Sequence, residues 1–256
     1  MSNTSILWHD YETWGVNPRV DQPSQFAAIR TDEDLNIIDR PIEIFCKPTY
    51  DRLPHPRAAM VTGISPLSAE QQGFDEPEFI RKVNDAFSVP GTCGAGYNSI
   101  RFDDEVTRHT LFRNFFDPYQ REYSNGNSRW DLINALRMAH ALRPEGINWP
   151  EREDGFTSFK LEDLTAANHI DHAGAHDALV DVKATIEMAR KLREAQPKFF
   201  NYLFDLRKKD KARAVIEPNR GQPTPFLHTS AMLGPERLYT APMILLGWNK
   251  DNANAA

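Results

Sequence analysis

ILWHDYET, residues 6–13, is the stretch from which the rest of the chain is best interpreted. Its apolar start, Ile6 to Trp8, predicts a buried β-strand that delivers two acidic residues, Asp10 and Glu12. Because side chains alternate faces along a strand, both carboxylates are expected on one side, about 7 Å apart along the chain. Two carboxylates on one face repel each other unless a cation lies between them, and hard divalent cations take oxygen ligands. The pair therefore indicates either a divalent-metal site or two solvated acids at a strand end.

The composition limits the class of protein. Of the 256 residues, 40% are apolar and 11% aromatic, which suffices for a hydrophobic core, and the formal net charge of −6 argues against a general nucleic-acid coat protein. Cys46 and Cys93 lack metal-ligand spacing and are expected to be thiols in a reducing compartment. The chain shows no secretory signal and no apolar run long enough to span a membrane, so we expect a soluble, cytoplasmic protein.

The order of predicted elements indicates a mixed α/β layer fold. Strands predicted at 26–30 and 42–46 follow the first strand as an antiparallel meander, and a small-residue strand is predicted at 92–98. Apolar spacing predicts a helix over 76–87. Later helices are predicted at 103–116, 129–142, 158–168, 176–194 and 197–210. A segment with three prolines and a glycine, 217–225, is the best linker candidate.

Two further acidic clusters stand out. Asp103, Asp104 and Glu105 begin a predicted helix, where acids also favour the positive end of the helix dipole, and the pattern does not choose between the two aspartates. On the helix predicted at 176–194, Asp181 falls at the edge of the inward stripe, and a half-buried carboxylate needs a partner or a metal. His176, at the start of that helix, is either a capping or surface residue or a group that points into the same cleft.

Together these positions form a constellation: Asp-x-Glu on the first strand, Asp at the start of a central helix, and His-x4-Asp on a late helix. Carboxylates that hold two metal ions about 4 Å apart, with a histidine able to accept a proton from water, supply what phosphodiester hydrolysis requires. The constellation and its surroundings resemble the DEDDh 3'→5' exonucleases of the ribonuclease H-like superfamily, and in particular a bacterial branch of exodeoxyribonucleases. The stretches that carry the resemblance are HDYETWG (9–15), DQPSQFAAIRTD (21–32), VTGISP (61–66), GYNSIRFDDEVTRH (96–109), NSRWDL (127–132), ALRPEGINWP (141–150) and AHDALVDVKATI (175–186).

The resemblance implies a ribonuclease H-like exonuclease fold with a mixed central sheet flanked by helices. It implies that two Mg²⁺ ions, for which Mn²⁺ can substitute, are held by Asp10, Glu12, Asp103 and Asp181, with His176 as general base. It selects Asp103 over Asp104. It further implies substrate contacts from Glu12, Thr13, Ser158 and Lys160. The implied activity is removal of 5'-mononucleotides from the 3' end of single-stranded DNA, in DNA repair and recombination.

Family members continue from the nuclease domain into an SH3-like β-barrel and a helical domain, and bind the acidic tail of single-stranded-DNA-binding protein. By this resemblance we expect a DEDDh exonuclease domain at 1–216, a linker at 217–227 and an incomplete start of an SH3-like barrel at 228–256. Two alternatives remain open from sequence. One is a 3'→5' exoribonuclease acting on short RNA, and the other is a non-catalytic fragment that binds single strands or a partner protein.

Overall fold

Five strands form one mixed β-sheet in the computed structural model, which describes residues 4–219 and 222–252. The strands are β1 (Ser5–Thr13), β2 (Pro23–Thr31), β3 (Ile42–Phe45), β4 (Thr92–Gly96) and β5 (Ser128–Asp131). Their order across the sheet is β3-β2-β1-β4-β5. The first three strands pair antiparallel, as the predicted meander requires, whereas β4 lies parallel to both β1 and β5. The strand that carries Asp10 and Glu12 is therefore central, with a neighbour on each side.

The described residues also contain helices and a separate β-hairpin. The helices are α1 (Pro56–Thr62), α2 (Pro66–Gln72), α3 (Glu76–Phe87), α4 (Asp103–Arg113), α5 (Leu132–Leu142), α6 (Leu161–Ala167), α7 (Ala178–Ala195), α8 (Pro197–Asp205) and α9 (Lys209–Ile216). The hairpin pairs β6 (Pro225–Thr229) with β7 (Thr240–Ile244) in antiparallel register. Within the described ranges, no helix combines the length and the apolar character needed to cross a membrane.

The chain divides into two compact units. The first comprises Met1–Leu132 and Lys160–Arg190 and contains the five-stranded sheet with α1–α4, α6 and most of α7. The second comprises Ile133–Phe159 and Lys191–Ala256 and contains most of α5 together with α8, α9 and the hairpin. The division predicted from sequence, with a nuclease domain at 1–216, a linker at 217–227 and a barrel segment at 228–256, stays a prediction.

The core of the first unit follows from the alternation of β1. Leu7 and Tyr11 pack on one face of the sheet against α3, whose buried side chains recur at helical spacing: Phe79, Ile80, Val83 and Phe87, each at most 1% exposed. Burying side chains of this size contributes about 1.5–3 kcal/mol each, which fixes α3 to the sheet. On the opposite face the Trp8 ring meets Trp130 edge-on, with ring centroids 6.2 Å apart. Asp10 and Glu12 share this second face because they are an even number of residues from Trp8.

Several predicted boundaries differ from the structure. Residues 128–131, which the sequence predicts mainly as the first turn of a helix, form β5, and the helix begins at Leu132. The reason is tertiary: β5 pairs with β4 from Cys93 to Gly96, so its backbone hydrogen bonds are satisfied in the sheet. The helix predicted at 197–210 is interrupted after Asp205 and resumes at Lys209 as α9. The helix predicted at 76–87 has these bounds in the structure.

Candidate active site

β1 presents its two carboxylates where one neighbouring strand ends. Pairing of β1 with β4 extends only to Trp8, opposite Ala95, while pairing with β2 continues through Glu12. The side of β1 next to Asp10 and Glu12 is therefore open to the chain that follows β4. The ladder with β2 also shifts register between Glu12 and Thr13. Such irregularities bend a strand and re-aim its side chains, and they are common beside functional sites.

Asp103, the first residue of α4, reaches back to this open side. The backbone N–H of Tyr11 donates to Asp103 Oδ1 at 3.1 Å, and the aspartate is only 4% exposed. Burial and the negative charge of Asp104 raise the pKa of Asp103 well above its usual value. After burial, the charge of Asp103 is the largest cause of the raised pKa of Asp10. The first aspartate of the cluster thus faces the acids of β1.

Asp104 has the opposite environment. Its two carboxylate oxygens accept hydrogen bonds from Arg121 and Arg129, each at 2.8 Å, while the aspartate is 2% exposed. Although burial alone would raise it, the two guanidinium groups lower the pKa of Asp104 to about 2. Asp104 is therefore an ionised partner of two arginines, with both oxygens engaged. The geometry separates the two aspartates that the sequence pattern alone left undecided.

α7 brings the last acidic residue to the same face. Asp177 precedes the helix, and its Oδ1 accepts hydrogen bonds from the backbone N–H groups of Leu179 and Val180, at 3.0 and 3.2 Å. Gln25 of β2, the register partner of Glu12, accepts the Ala178 N–H at 3.1 Å. These contacts anchor the start of α7 to the sheet. Asp181 follows within the first turn, beside the buried stripe that the sequence predicts.

A potential metal-ligand group results from this arrangement. Ligand atoms of Glu12, His176 and Asp181 all lie within 4.8 Å of one another. Burial, followed by the charges of Asp181 and Asp103, raises the pKa of Glu12 to about 8. Burial and the charges of Asp103, Glu12 and Asp181 likewise raise the pKa of Asp10. The four carboxylates selected from the sequence therefore repel one another across a single site.

This mutual repulsion is the test of whether a divalent cation fits. Buried carboxylates that raise each other's pKa are stabilised when a cation supplies the missing positive charge, and carboxylate oxygens are the preferred ligands of hard cations. Asp10 and Glu12 satisfy the first condition, and all four residues can offer oxygen atoms. They form an acidic site suited to divalent metal.

His176 has an unusual backbone conformation. Its φ is 71°, in the left-handed region that residues other than glycine rarely adopt, and it lies two residues before α7 and not within it. Its side chain is 47% exposed, and Nε2 lies 3.3 Å from Glu162 Oε1 of α6. Strain of this kind persists only where the surroundings enforce it, and it is concentrated at functional sites. The conformation holds the imidazole near Glu12 and Asp181, while its role as general base stays a prediction.

Sequence reasoning missed one histidine at the site. His172 lies in the loop before α7, and its Nε2 is 2.5 Å from Asp181 Oδ1. The opposite ring nitrogen, Nδ1, is 3.1 Å from the hydroxyl of Thr165 on α6. A histidine in a polar loop has no periodicity or motif spacing that predicts such a contact.

An open cavity of about 680 Å³ adjoins the carboxylates. Glu12 and Thr13 form part of its wall, with Arg57 of α1 as a basic group and Val61 and Phe102 among its apolar groups. The guanidinium group of Arg57 suits the phosphate of a nucleotide, and the apolar side chains suit its base. The cavity is large enough to admit one.

The three predicted substrate contacts outside the carboxylates have different environments. Thr13 lines the cavity, and its hydroxyl donates to the Gly15 carbonyl at 2.6 Å. Ser158 is 2% exposed, so its side chain is buried in the second unit. Lys160 is an exposed residue at the start of α6. Roles for these side chains in strand binding stay predictions.

Comparisons with known proteins agree with this geometry. The RNase T family model, Exonuclease, matches residues 7–189. Exodeoxyribonuclease I of Escherichia coli (strain K12) is 49% identical over 252 residues, which are 98% of this chain and 53% of the relative. Exodeoxyribonuclease I of Haemophilus influenzae is 51% identical over 251 residues, again 98% of this chain and 53% of the relative. The chain thus spans about half the length of these curated relatives.

Solved structures give the same result. E. coli exonuclease I in complex with a dA16 oligonucleotide aligns with a TM-score of 0.93 at 49% identity, over 98% of this chain and 53% of that chain. A moderately thermophilic exonuclease I from Methylocaldum szegediense aligns with a TM-score of 0.91 at 53% identity, over 98% and 53%. The predicted fold class is confirmed by these alignments. The chain belongs to the exonuclease family and has its ribonuclease H-like fold.

Proposed function

We propose that the protein is a 3'→5' exodeoxyribonuclease that hydrolyses single-stranded DNA to 5'-mononucleotides. The observation that carries the proposal is the convergence of Asp10, Glu12, Asp103 and Asp181 with His176 beside a cavity that can admit a nucleotide. Similarity to exodeoxyribonuclease I of two bacteria, and to exonuclease I solved with an oligonucleotide, supports DNA as the substrate. The proposed roles of this activity are in DNA repair and recombination.

Two Mg²⁺ ions are the proposed cofactors, held by the oxygens of Asp10, Glu12, Asp103 and Asp181, with Mn²⁺ able to substitute. When bound, such ions neutralise charge on the phosphate and make a water molecule easier to deprotonate. The repulsion that helps to raise the pKa values of Asp10 and Glu12 favours this arrangement, because a bound cation removes it. Because the cation must displace protons from these acids, its affinity should increase with pH.

The residues of the chain supply positioning and proton transfer. We propose that His176 accepts a proton from the attacking water, whose oxygen bonds to the phosphorus of the terminal phosphodiester. The bond from phosphorus to the 3'-oxygen of the preceding nucleotide breaks, and that oxygen takes up a proton. The released nucleotide keeps the 5'-phosphate. In this scheme Glu12 and Thr13 contact the terminal nucleotide, and Ser158 and Lys160 are proposed contacts to the strand.

Single-stranded-DNA-binding protein is the proposed protein partner. Relatives have been solved as complexes of exonuclease I with this protein and with its C-terminal segment. In the second unit a cavity of about 450 Å³ is lined by Arg143 and Lys198 together with Phe199 and Tyr202. Two cations beside aromatic rings suit an acidic peptide. A cytoplasmic location is proposed with it, since Cys46 and Cys93 are free thiols.

Digestion of a 5'-labelled single-stranded DNA oligomer tests the proposed function. We expect a ladder that shortens from the 3' end with Mg²⁺ and disappears with EDTA. Asp10→Ala should abolish the ladder while circular dichroism stays unchanged, because this substitution removes a ligand and a buried, repelled charge. Asp39→Ala, at an exposed turn, is the matched control and should retain the wild-type rate.

An RNA oligomer run in parallel separates the alternatives. If RNA is degraded faster than DNA, the protein is an exoribonuclease and the proposal is wrong. A mitochondrial oligoribonuclease from Bos taurus is 21% identical to this chain over 230 residues. Absence of cleavage by a folded wild-type chain would indicate a binding fragment. Full activity of Asp10→Ala would eliminate the metal mechanism.

A further inference from the structure

His172 contacts a proposed metal ligand directly. Its side chain is 7% exposed, and its Nε2 lies 2.5 Å from Asp181 Oδ1 in the first unit. This is a short hydrogen bond to a carboxylate, of the kind that fixes both partners. Asp181 keeps 19% of its side chain exposed, and one of its carboxylate oxygens lies within 4.8 Å of ligand atoms of Glu12 and His176.

The other side of the His172 ring is held by α6. Its Nδ1 is 3.1 Å from the hydroxyl oxygen of Thr165, which is fully buried. The Thr165 hydroxyl in turn lies 2.9 Å from the backbone carbonyl oxygens of Leu161 and Glu162. The hydroxyl therefore has a fixed position, and so has the ring that contacts it. A continuous chain of hydrogen bonds runs from the α6 backbone through Thr165 and His172 to Asp181.

We propose that His172 is a positioning residue that holds Asp181 through Oδ1 and thereby fixes the orientation in which this carboxylate meets a divalent cation. The inference rests on the proposed function, because it concerns a ligand of that site. A free aspartate can rotate its carboxylate and offer either oxygen or both. The hydrogen bond from His172 restricts this rotation before the cation binds, so that less conformational entropy is lost on binding.

The two histidines of the loop then have separate roles. Both ring nitrogens of His172 are engaged, by Thr165 and by Asp181, so neither is open to an attacking water molecule. The side chain of His176, in contrast, is 47% exposed, and its Nε2 lies beside the Glu162 carboxylate. Glu162 and Thr165 are three residues apart and share one face of α6. Helix α6 thus contacts both histidines: His172 through Thr165 and His176 through Glu162.

Removal of the contact should weaken metal binding more than DNA binding. Partners that orient a metal ligand typically change metal affinity by about 10- to 100-fold when they are replaced. For His172→Leu we expect Mn²⁺ affinity to fall at least about 10-fold, with KM for a DNA oligomer changed less than about two-fold. His172→Gln, which keeps an amide N–H at similar reach, should recover affinity to within about three-fold of wild type.

Calorimetric titration of Mn²⁺ into the DNA-free protein is the deciding experiment. It is accompanied by the Mg²⁺ concentration that gives half-maximal hydrolysis, and by circular dichroism to verify folding. Thr165→Val is a second variant that leaves His172 in place and should also weaken Mn²⁺ binding. It tests the same hydrogen bonds if His172→Leu does not fold. His169→Leu, at an exposed histidine of the same loop, is the control and should bind Mn²⁺ like wild type.

The outcomes distinguish this inference from the proposed function. Wild-type Mn²⁺ affinity in folded His172→Leu, or in Thr165→Val where the first variant is unfolded, would overturn the positioning role. Equal losses in the Leu and Gln variants would also overturn it, because they would implicate the ring shape and not the hydrogen bond. A wild-type chain that binds Mn²⁺ but does not cut DNA would overturn the proposed function, while the binding comparison would still decide the role of His172.

Discussion

Replacing each of two adjacent aspartates by asparagine should give opposite results. Asp103 and Asp104 are neighbours at the start of α4, and both are at most 4% exposed. One faces other acids and has a raised pKa, whereas the other faces two arginines and has a pKa of about 2. Removing a negative charge therefore relieves repulsion at the first position and breaks ion pairs at the second.

The magnitude for Asp104 follows from its environment. A fall of its pKa from 3.8 to about 2 corresponds to about 2 kcal/mol of folding free energy. Because the folded pKa is depressed, this contribution is present above about pH 4 and is lost as pH falls towards 2. At neutral pH the substitution also removes the 2.8 Å partner of Arg121, whose side chain is 1% exposed and whose other carboxylate neighbour, Glu122, lies 3.9 Å away. Breaking a buried pair in this way costs about 3–5 kcal/mol.

For Asp104→Asn we therefore expect a free energy of unfolding lowered by about 3–5 kcal/mol, which corresponds to about 10 °C in Tm for a chain of this size. Asp103→Asn should be as stable as wild type or more stable in EDTA, because an amide oxygen can still accept the Tyr11 N–H. It should lose hydrolysis nonetheless. The measurement is thermal and urea unfolding in EDTA at pH 7, paired with the rate on labelled DNA.

A reversed order of stability between the two variants would contradict this prediction. A stable Asp104→Asn together with a strongly destabilised Asp103→Asn would mean that the arginines do not discriminate the two acids as described. Wild-type hydrolysis by Asp103→Asn would remove this residue from the metal site while leaving the stability argument intact.

Two further predictions concern the same face of the sheet. In EDTA, stability should fall as pH rises from 4.5 to about 8, because folding raises the pKa of Glu12 and the folded state then binds more protons than the unfolded chain. Glu12→Gln or saturating Mg²⁺ should flatten this dependence in thermal unfolding, and an unchanged slope in both would contradict it. Gly96→Ala should destabilise the protein by about 1–3 kcal/mol in urea, since a Cβ there would lie 2.8 Å from the His9 carbonyl oxygen. Gly247→Ala, with open space around it, is the control, and equal stability of the two variants would refute the steric argument.

The spacing of apolar residues within short segments correctly predicted α3 and β1. The apolar residues of α3 repeat at helical intervals, and its predicted bounds agree with the structure. The alternation of β1 likewise places Asp10 and Glu12 together. Residues 129–131 were predicted wrongly because their strand character depends on pairing with β4, more than 30 positions earlier in the chain. Propensity within a short window does not contain that information.

In the site, too, the features that depend on contacts between distant segments could not be predicted from the sequence. The pattern could not separate Asp103 from Asp104, since the difference lies in Arg121 and Arg129, which arrive from a later turn and from β5. Only the family resemblance selected Asp103. His172 had no signal at all, because its significance depends on Thr165 and Asp181 meeting on either side of one ring. Contacts between distant segments are the part of the site that sequence spacing leaves undetermined.

The placement of β1 at the centre of the sheet has a consequence for the order of synthesis. The strand with the first two acids is synthesised well before α7, which carries Asp181 and begins at residue 178. Until that helix docks against β2 through Gln25, a growing chain has neither the fourth carboxylate nor either histidine in place. Chains normally fold as whole units once synthesis has supplied them. Under the proposed function, we therefore expect a growing chain to acquire nuclease activity only after α7 has been synthesised and has docked on the sheet.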